Sequence, residues 1–309
     1  MRPIALFLGF VLPATAQTQL VLKKKWATDV QNLVSISIKM EVDHTLKQPH
    51  NAGKCCTDDG DLHFSGRSND VGLPMVAEIM NAKTQPKALQ DIKAAANGTT
   101  VPLTGVWRLW FEHAGDNEVQ GKTVPVPGDT NPSHVFEIHP VSQFGSDSVS
   151  ASFSPVANLL PFAGSDAFPN YQSHVITLQS SATSITISSK EVGFNYTHFV
   201  IELAGKPMKS ADGGFLAMAK IMANDEDPIV STPIRVVFAP GTPPASQIAS
   251  QKAGAQFHVM GIPRINLNLV LSILDKKGPG PIQVNLPYEM IIVAMCSDQL
   301  DTCLQSDGN

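Results

Sequence analysis

The stretch PMVAEIMNAKTQPKALQDIKAAANGTTVPLTGVWRLWFEH, residues 74 to 113, decides the fold class. It begins with a short apolar run typical of a strand, residues 74–80, and ends with a longer alternating run, residues 101–113. Between them, residues 86–96 start with proline and are followed by an Asn-Gly pair, a pattern typical of a short helix. The stretch therefore predicts a strand, a helix and a second strand.

Working outward from this stretch, two strands are expected before it and one after it. VQNLVSISIKMEV (30–42) and DLHFSG (61–66) precede it, and SHVFEIHPV (133–141) follows it. Three strands, one helix and two further strands make the element order of the OB-fold, a five-stranded Greek-key barrel. We predict such a barrel for the first half of the chain.

The second half shows a similar order. Strands are expected at 184–190, 197–203, 215–222, 233–238, 257–274 and 288–295, with a helix at 243–254. Three local matches suggest a repeat: Leu62-His63-Phe64 with Thr197-His198-Phe199, Ala77-Glu78-Ile79-Met80 with Ala219-Lys220-Ile221-Met222, and Gly105-Val106-Trp107-Arg108-Leu109 with Gly261-Ile262-Pro263-Arg264-Ile265. The predicted fold is all-β, with two tandem OB-like five-stranded Greek-key barrels, each with one short helix.

The domain boundaries follow from this order. They are a signal peptide at 1–16, an N-terminal extension at 17–29, a first OB-like domain at 30–141, a Ser/Gly/Pro-rich linker at 142–172, a second OB-like domain at 173–296 and a C-terminal tail at 297–309.

The N-terminus has the three parts of a secretory signal peptide. Arg2 supplies the positive charge, residues 4–12 the apolar core, and Ala14-Thr15-Ala16 the cleavage site. We expect cleavage after Ala16 and export to the periplasm or the extracellular space. No later run approaches about 18 apolar residues, so no transmembrane segment is expected in the mature chain.

Export places the four cysteines in an oxidising compartment, where an even number favours disulfides. The candidates are Cys55, Cys56, Cys296 and Cys303. Their pairing stays open, because four cysteines allow three connectivities.

The charge balance bears on the partners. The chain has 22 Lys and Arg against 27 Asp and Glu, for a formal net charge of −5. Because duplex-binding proteins usually carry a basic face, this balance argues against nucleic acid as a partner. An oligosaccharide, a peptide or a protein is the expected ligand.

One set of polar residues could converge at a mouth of the first barrel. Alternate residues of a strand share a face, and neighbouring strands bring such faces together. The set is Asp61, His63, Glu78, Glu137 and His139. Imidazoles and carboxylates suit a divalent metal such as zinc, manganese or iron, which could activate water for hydrolysis. The alternative is that these are outer-face polar residues of a solvated sheet, or a hydrogen-bonded network.

An aromatic platform is a second candidate site. Trp110 shares a strand face with Arg108 and Glu112, and aromatic faces of OB barrels bind sugars or bases by stacking. This pattern predicts a platform for a sugar or a peptide. The alternative is burial of Trp110 under the Pro-rich loop at 124–132.

The first half resembles a group of bacterial OB-like proteins. The residues that carry the resemblance are Asp61-Leu62-His63, Met75-Val76-Ala77-Glu78, Gly105-Val106 and Glu137-Ile138-His139-Pro140. It covers roughly residues 30–141 and implies an OB-like fold, since that group has no established activity to transfer.

The tripeptide Asp59-Gly60-Asp61 is also similar to the start of staphylococcal-type nucleases, which share the barrel. That likeness implies calcium-assisted cleavage of phosphodiesters. The chain departs from it, because the third strand, residues 74–80, has no arginine and the nucleases' Asp-Thr-Pro-Glu segment is missing. We therefore predict a binding or structural module rather than an enzyme. The alternative is a metal-dependent, phosphodiesterase- or nuclease-like hydrolase on the first barrel.

Overall fold

The computed structural model describes residues 17–51, 60–156, 159–223 and 227–296. The first half contains β1 (Thr18–Lys23), α1 (Lys24–Val30), β2 (Ser35–Thr45), β3 (Leu62–Arg67), β4 (Met75–Ile79), α2 (Pro86–Ala95), β5 (Thr99–Leu109), β6 (Glu118–Val119), β7 (Phe136–Phe144) and β8 (Asp147–Ser148). The second half contains β9 (Phe162–Ala163), α3 (Gly164–Ser173), β10 (Val175–Ser180), β11 (Ser184–Ser189), β12 (Thr197–Leu203), β13 (Met208–Lys209), β14 (Phe215–Met222), β15 (Ile234–Phe238), α4 (Pro243–Ile248), β16 (Gln256–Ile265), α5 (Leu267–Lys277), β17 (Ile282–Asn285) and β18 (Tyr288–Cys296). Single 3₁₀ turns lie at Ala82–Thr84 and Ser150–Phe153.

Five strands of the first half close into a barrel. The hydrogen-bonded order is β4-β3-β2-β5-β7, and parallel pairing of β4 with β7 joins the two ends. The remaining neighbours are antiparallel, and α2 lies between the third and fourth barrel strands. This is the OB-like barrel predicted from the element order of residues 30–141, with the helix between the third and fourth strands.

The second half repeats the same connectivity. Its strands run in the order β14-β15-β18-β16-β12, and β14 pairs with β12 to close the barrel. The parallel pair β15–β18 corresponds to β4–β7, and α4 again precedes the fourth strand. The prediction of an all-β fold with two tandem OB-like barrels is confirmed.

Two elements of the second half differ from the prediction. Residues 184–189 do not belong to the barrel, because β11 pairs with β1 and β10 instead. The expected strand at 257–274 ends at Ile265 and continues as α5. A side-chain oxygen of Asn266 accepts from Leu269 N–H at 3.0 Å and caps this helix. An unbroken apolar run fits a buried strand or a buried helix equally well, which is why the sequence pattern misled.

A third sheet lies beside the barrels, in the order β17-β10-β11-β1-β6. It combines residues of the expected N-terminal extension, of the first half and of the second half. The segment expected as a linker, 142–172, contains the end of β7, β8, β9 and most of α3. Within the described residues, no helix is both long enough and apolar enough to cross a membrane.

Only one of the three repeat matches joins equivalent strands. Gly105–Leu109 and Gly261–Ile265 both lie on the fourth strand of their barrel. By contrast, His63 lies on the second strand of barrel one, whereas His198 lies on the first strand of barrel two. Short alternating matches recur on any half-buried strand, so two of the three were coincidental.

The true match joins the two barrels through a reciprocal contact. Arg108 Nε donates to the carbonyl of Pro263 at 2.9 Å, and Arg264 Nη1 donates to the carbonyl of Trp107 at 3.0 Å. Each arginine also forms an ion pair with the glutamate directly opposite it on the neighbouring strand of its own barrel, Arg108 with Glu137 and Arg264 with Glu289. Buried side chains from both barrels, including Val106 and Ile262, pack in a separate apolar cluster.

Candidate functional site

The five residues predicted to converge do lie together on barrel one. His63 on β3 stands directly opposite Glu78 on β4, and β4 runs parallel to the strand that carries Glu137 and His139. Asp61 immediately precedes β3. Strand alternation and the OB strand order together account for this convergence.

Side-chain contacts divide the five residues into an inner and an outer group. The inner group is Glu78, Glu137 and His139, whose exposed fractions are 3%, 1% and 0%. The outer group is Asp61 with His63, whose side chain is 13% exposed. His63 Nε2 lies 3.6 Å from Glu78 Oε1, which places the two groups next to each other.

The inner group is a closed hydrogen-bonded network. His139 Nδ1 lies 3.1 Å from Glu78 Oε2 and 3.3 Å from Glu137 Oε2, and its Nε2 lies 2.5 Å from the hydroxyl of Tyr196. Glu137 also accepts from Arg108 Nη1 at 2.5 Å. The interpretation as polar residues of a solvated outer face is wrong for this group, because the second half of the chain covers that face.

The protonation states of the inner group follow from burial and charge. Burial, together with the nearby Glu137 and Asp61 carboxylates, raises the pKa of Glu78 well above its usual value. Burial also acts to raise the pKa of Glu137, but Arg108 and two imidazoles outweigh it and hold that pKa well below normal. Burial lowers the pKa of His139. These shifts favour the uncharged forms of Glu78 and His139 and the charged carboxylate of Glu137 beside Arg108.

The outer group includes a residue that the sequence pattern missed. His50 Nδ1 lies 2.8 Å from Asp61 Oδ1, and Asp61 Oδ2 contacts His63 Nε2. The side chain of His50 is 44% exposed. His50 follows β2 outside any strand, so alternation gives no signal for it. Its backbone N–H donates to the carbonyl of Asp61 at 2.9 Å, which is the contact that brings it in.

The predicted ligand platform of Arg108, Trp110 and Glu112 is wrong as an open surface. Arg108 and Trp110 are 0% and 1% exposed, so no sugar or peptide can stack there. Trp110 packs edge-on against Tyr171 of α3 at a centroid distance of 5.6 Å. Arg108 donates to Glu112 at 3.1 Å as well as to Glu137. The covering residues come from a segment that the sequence pattern assigned to a linker.

The inner group also gives little support to the hydrolase alternative. A general base or a metal-bound water must lie within reach of a substrate. Glu78, Glu137 and His139 are 3%, 1% and 0% exposed, so a substrate does not reach them in this structure.

A groove lies elsewhere on barrel one, between the turn of the β3–β4 hairpin and the loop at 116–133. Two adjoining cavities form it, one of about 670 Å³ and one of about 410 Å³, and Lys122, Thr123 and Val124 line both. OB barrels commonly bind ligands on the face of their second and third strands, beside the loop between strands four and five. The groove lies at the turn that joins these two strands, and the loop between strands four and five lines it.

The two ends of the groove differ chemically. The larger cavity is lined by Lys23, Lys39, Arg67 and Lys122 and by the acids Glu41 and Asp70. Arg67 is bound to Asp43 and Glu41, whereas no carboxylate among the described residues forms an ion pair with the three exposed lysines. The smaller cavity is lined by apolar residues that include Pro74, Met75, Pro125, Val126 and Pro127. Val126 is 58% exposed.

Glu118 lines the smaller cavity and is buried. It is 4% exposed, and neither carboxylate oxygen makes a hydrogen bond with the described residues. Burial raises its pKa to about 8, and the nearby backbone N–H of Val135 opposes this only in part. Glu118 is therefore largely protonated at neutral pH.

The predicted disulfide cysteines lie outside what the structure describes. This holds for the whole residues Cys55, Cys56 and Cys303 and for the side chain of Cys296. The same holds for the signal peptide at 1–16 and the tail at 297–309. These expectations stay predictions.

No protein-family model matches this chain, and no curated protein matches it in sequence. Among solved structures, the Ifi202 HINa domain in complex with a 20-bp dsDNA is similar at 9% identity and a TM-score of 0.20, over 79% of this chain and 88% of that one. The wild-type single-stranded DNA-binding protein from Thermus aquaticus is similar at 9% identity and a TM-score of 0.21, over 86% of this chain and 94% of that one.

These neighbours correct the expectation about nucleic acid. Identities and TM-scores this low carry no argument about which ligand this chain binds. Both neighbours are DNA-binding proteins, which contradicts the expectation that nucleic acid is an unlikely partner. A net charge of −5 is not a sufficient ground for that expectation. A basic surface patch can lie on a protein whose net charge is negative.

Proposed function

We propose that this protein is a binding module whose ligand occupies the groove of barrel one. The observation that carries the proposal is the pair of adjoining cavities at the position where OB barrels present their ligand face. Ligand sites are generally concave and combine apolar lining with a few polar groups. The groove has both.

The chemistry of the groove favours a short extended peptide with an apolar and an acidic part. The apolar end offers Pro125, Val126 and Pro127 to an aliphatic side chain, while Lys39 and Lys122 attract a carboxylate at the other end. No aromatic side chain lines either cavity, so a sugar ring has no stacking surface there.

Fluorescence anisotropy with labelled ligands tests this proposal. The panel contains acidic-apolar peptides, basic-apolar peptides, a charge-matched oligosaccharide and an oligonucleotide. We expect the acidic-apolar peptides to bind, and we expect the double variant K39Q/K122Q to weaken them about 3- to 10-fold, since each exposed pair contributes below about 1 kcal/mol. The matched control K209Q/K252Q removes two exposed lysines outside the groove.

V126D tests the apolar end in the same assay, because it places a charge where the peptide's aliphatic side chain would lie. Equal binding of all peptides by the wild type and both groove variants would refute the proposal. Tight binding of the oligonucleotide alone would replace the peptide with a nucleic acid.

We infer as well that the protein acts after export, as a secreted member of the bacterial OB-like group that its first half resembles. The support is the leader pattern at 1–16 together with an even number of cysteines. N-terminal sequencing of protein from the natural host should begin at Gln17. A mature chain that still starts at Met1 would contradict export.

A further inference from the structure

We propose that His50, Asp61 and His63 form a binding site for a divalent transition metal, with zinc as the best fit. One ligand atom from each of these residues lies within 4.8 Å of the others. This site lies outside the groove and differs from the five-residue set expected from the sequence. It adds His50 and leaves out the enclosed residues Glu78, Glu137 and His139.

The donor set selects the class of metal. Two imidazole nitrogens and one carboxylate suit zinc and other first-row transition metals, whereas calcium and magnesium prefer oxygen-only sites. Bonds to zinc are about 2.0–2.2 Å long, so in a tetrahedral site two ligand atoms lie about 3.4 Å apart. The ligand atoms lie within 4.8 Å of one another, so the widest pair must contract, whereas the 2.8 Å contact between His50 Nδ1 and Asp61 Oδ1 must lengthen slightly.

The position of each ligand supplies that contraction and an entry path. Asp61 is 1% exposed and held at the start of β3, so it provides a fixed anchor. The 44% exposed side chain of His50 can rotate towards it, and the ion enters from that side. Three protein ligands leave a coordination position open towards solvent for water.

Burial distinguishes this group from the inner one. Glu78, Glu137 and His139 are enclosed, and Arg108 already neutralises the Glu137 carboxylate. A dication added there would add to the positive charge of a buried arginine. The outer group pairs a buried carboxylate with two imidazoles at the surface, so an added dication meets an opposite charge.

A metal in this place would also hold the base of a loop. His50 and Asp61 both lie in the connection between β2 and β3, and His63 lies on β3. The hydrogen bonds from His50 N–H to the Asp61 carbonyl and from Leu46 N–H to the His63 carbonyl, 2.9 and 3.1 Å long, already join the two sides. The ion would join the same two sides through their side chains.

Zinc titration of the full chain in competition with a chromogenic chelator tests the proposal. We expect one zinc ion per chain, no displacement by calcium or magnesium, and at least about a tenfold loss of affinity in H50Q and in H63Q. H174Q is the matched control, because the ring of His174 hydrogen-bonds to Ser189 far from any of the three ligands in sequence. It should bind zinc as the wild type does.

H50Q is the main variant because His50 is half-exposed and its loss should leave the fold intact, which circular dichroism checks. Cobalt substitution adds a spectroscopic readout, since the ligand-field bands of the wild type should change in H50Q. Zinc affinity unchanged in H50Q would overturn the proposal and place any bound metal at the cysteines or at the inner group. The absence of micromolar zinc binding by the wild type would overturn it as well.

Discussion

Replacing Glu118 with glutamine should stabilise the protein, and increasingly so as the pH rises. Glu118 is 4% exposed without a hydrogen-bond partner among the described residues, and its pKa is raised from 4.5 to about 8. One pH unit of difference corresponds to about 1.36 kcal/mol. The full difference between the folded and unfolded chain is therefore on the order of 5 kcal/mol.

The sign follows from which state binds the proton. Between pH 4.5 and about 8 the folded chain keeps Glu118 protonated, while the unfolded chain has lost that proton. Stability from this group is therefore fully present below pH 4.5 and is lost as the pH rises towards about 8. Glutamine is neutral throughout and loses nothing.

Urea denaturation of the wild type and E118Q at a series of pH values measures the effect. We expect the difference in free energy of unfolding to grow in favour of E118Q by about 3 kcal/mol between about pH 5 and about pH 8. E191Q, which neutralises an exposed glutamate, is the control and should run parallel to the wild type. A pH-independent difference between E118Q and the wild type would refute the assignment of a raised pKa to Glu118.

Two further predictions concern the barrels themselves. R264M should lower the free energy of unfolding by about 3–5 kcal/mol in chemical denaturation. The reason is that Arg264 is fully buried and donates to Glu289 and to three backbone carbonyls of the first half. A loss below about 1 kcal/mol would show that the contact between barrels is dispensable. G105A should cost about 1–3 kcal/mol in the same assay, because its methyl group would lie 2.5 Å from Ile138 Cγ2. G193A, with no atom within 4 Å of the added carbon, should change stability little, and equal effects of the two variants would contradict the packing argument.

Local sequence patterns predicted the placement of the first candidate site well. Alternation along β3, β4 and β7 sets which side chains share a face, and the OB strand order makes β4 a parallel neighbour of β7. Hence Asp61, His63, Glu78, Glu137 and His139 could be brought together from sequence alone. His50 could not, because it lies outside a strand and reaches Asp61 through a backbone contact.

The sequence by itself determined the two OB-like barrels, because the order of strands and helix within each half leaves few ways to pair short amphipathic strands around one core. Only the tertiary structure decided which outward faces meet water. The second half covers the face that carries Glu137, His139 and Arg108, and α3 covers Trp110. Side chains alternate between the two faces of a strand, so the sequence shows which residues share a face. Which part of the chain packs on that face depends on contacts between residues far apart in the sequence. Those contacts enclose the hydrogen-bonded network around Glu137 and His139, whereas the groove beside Glu118 stays open.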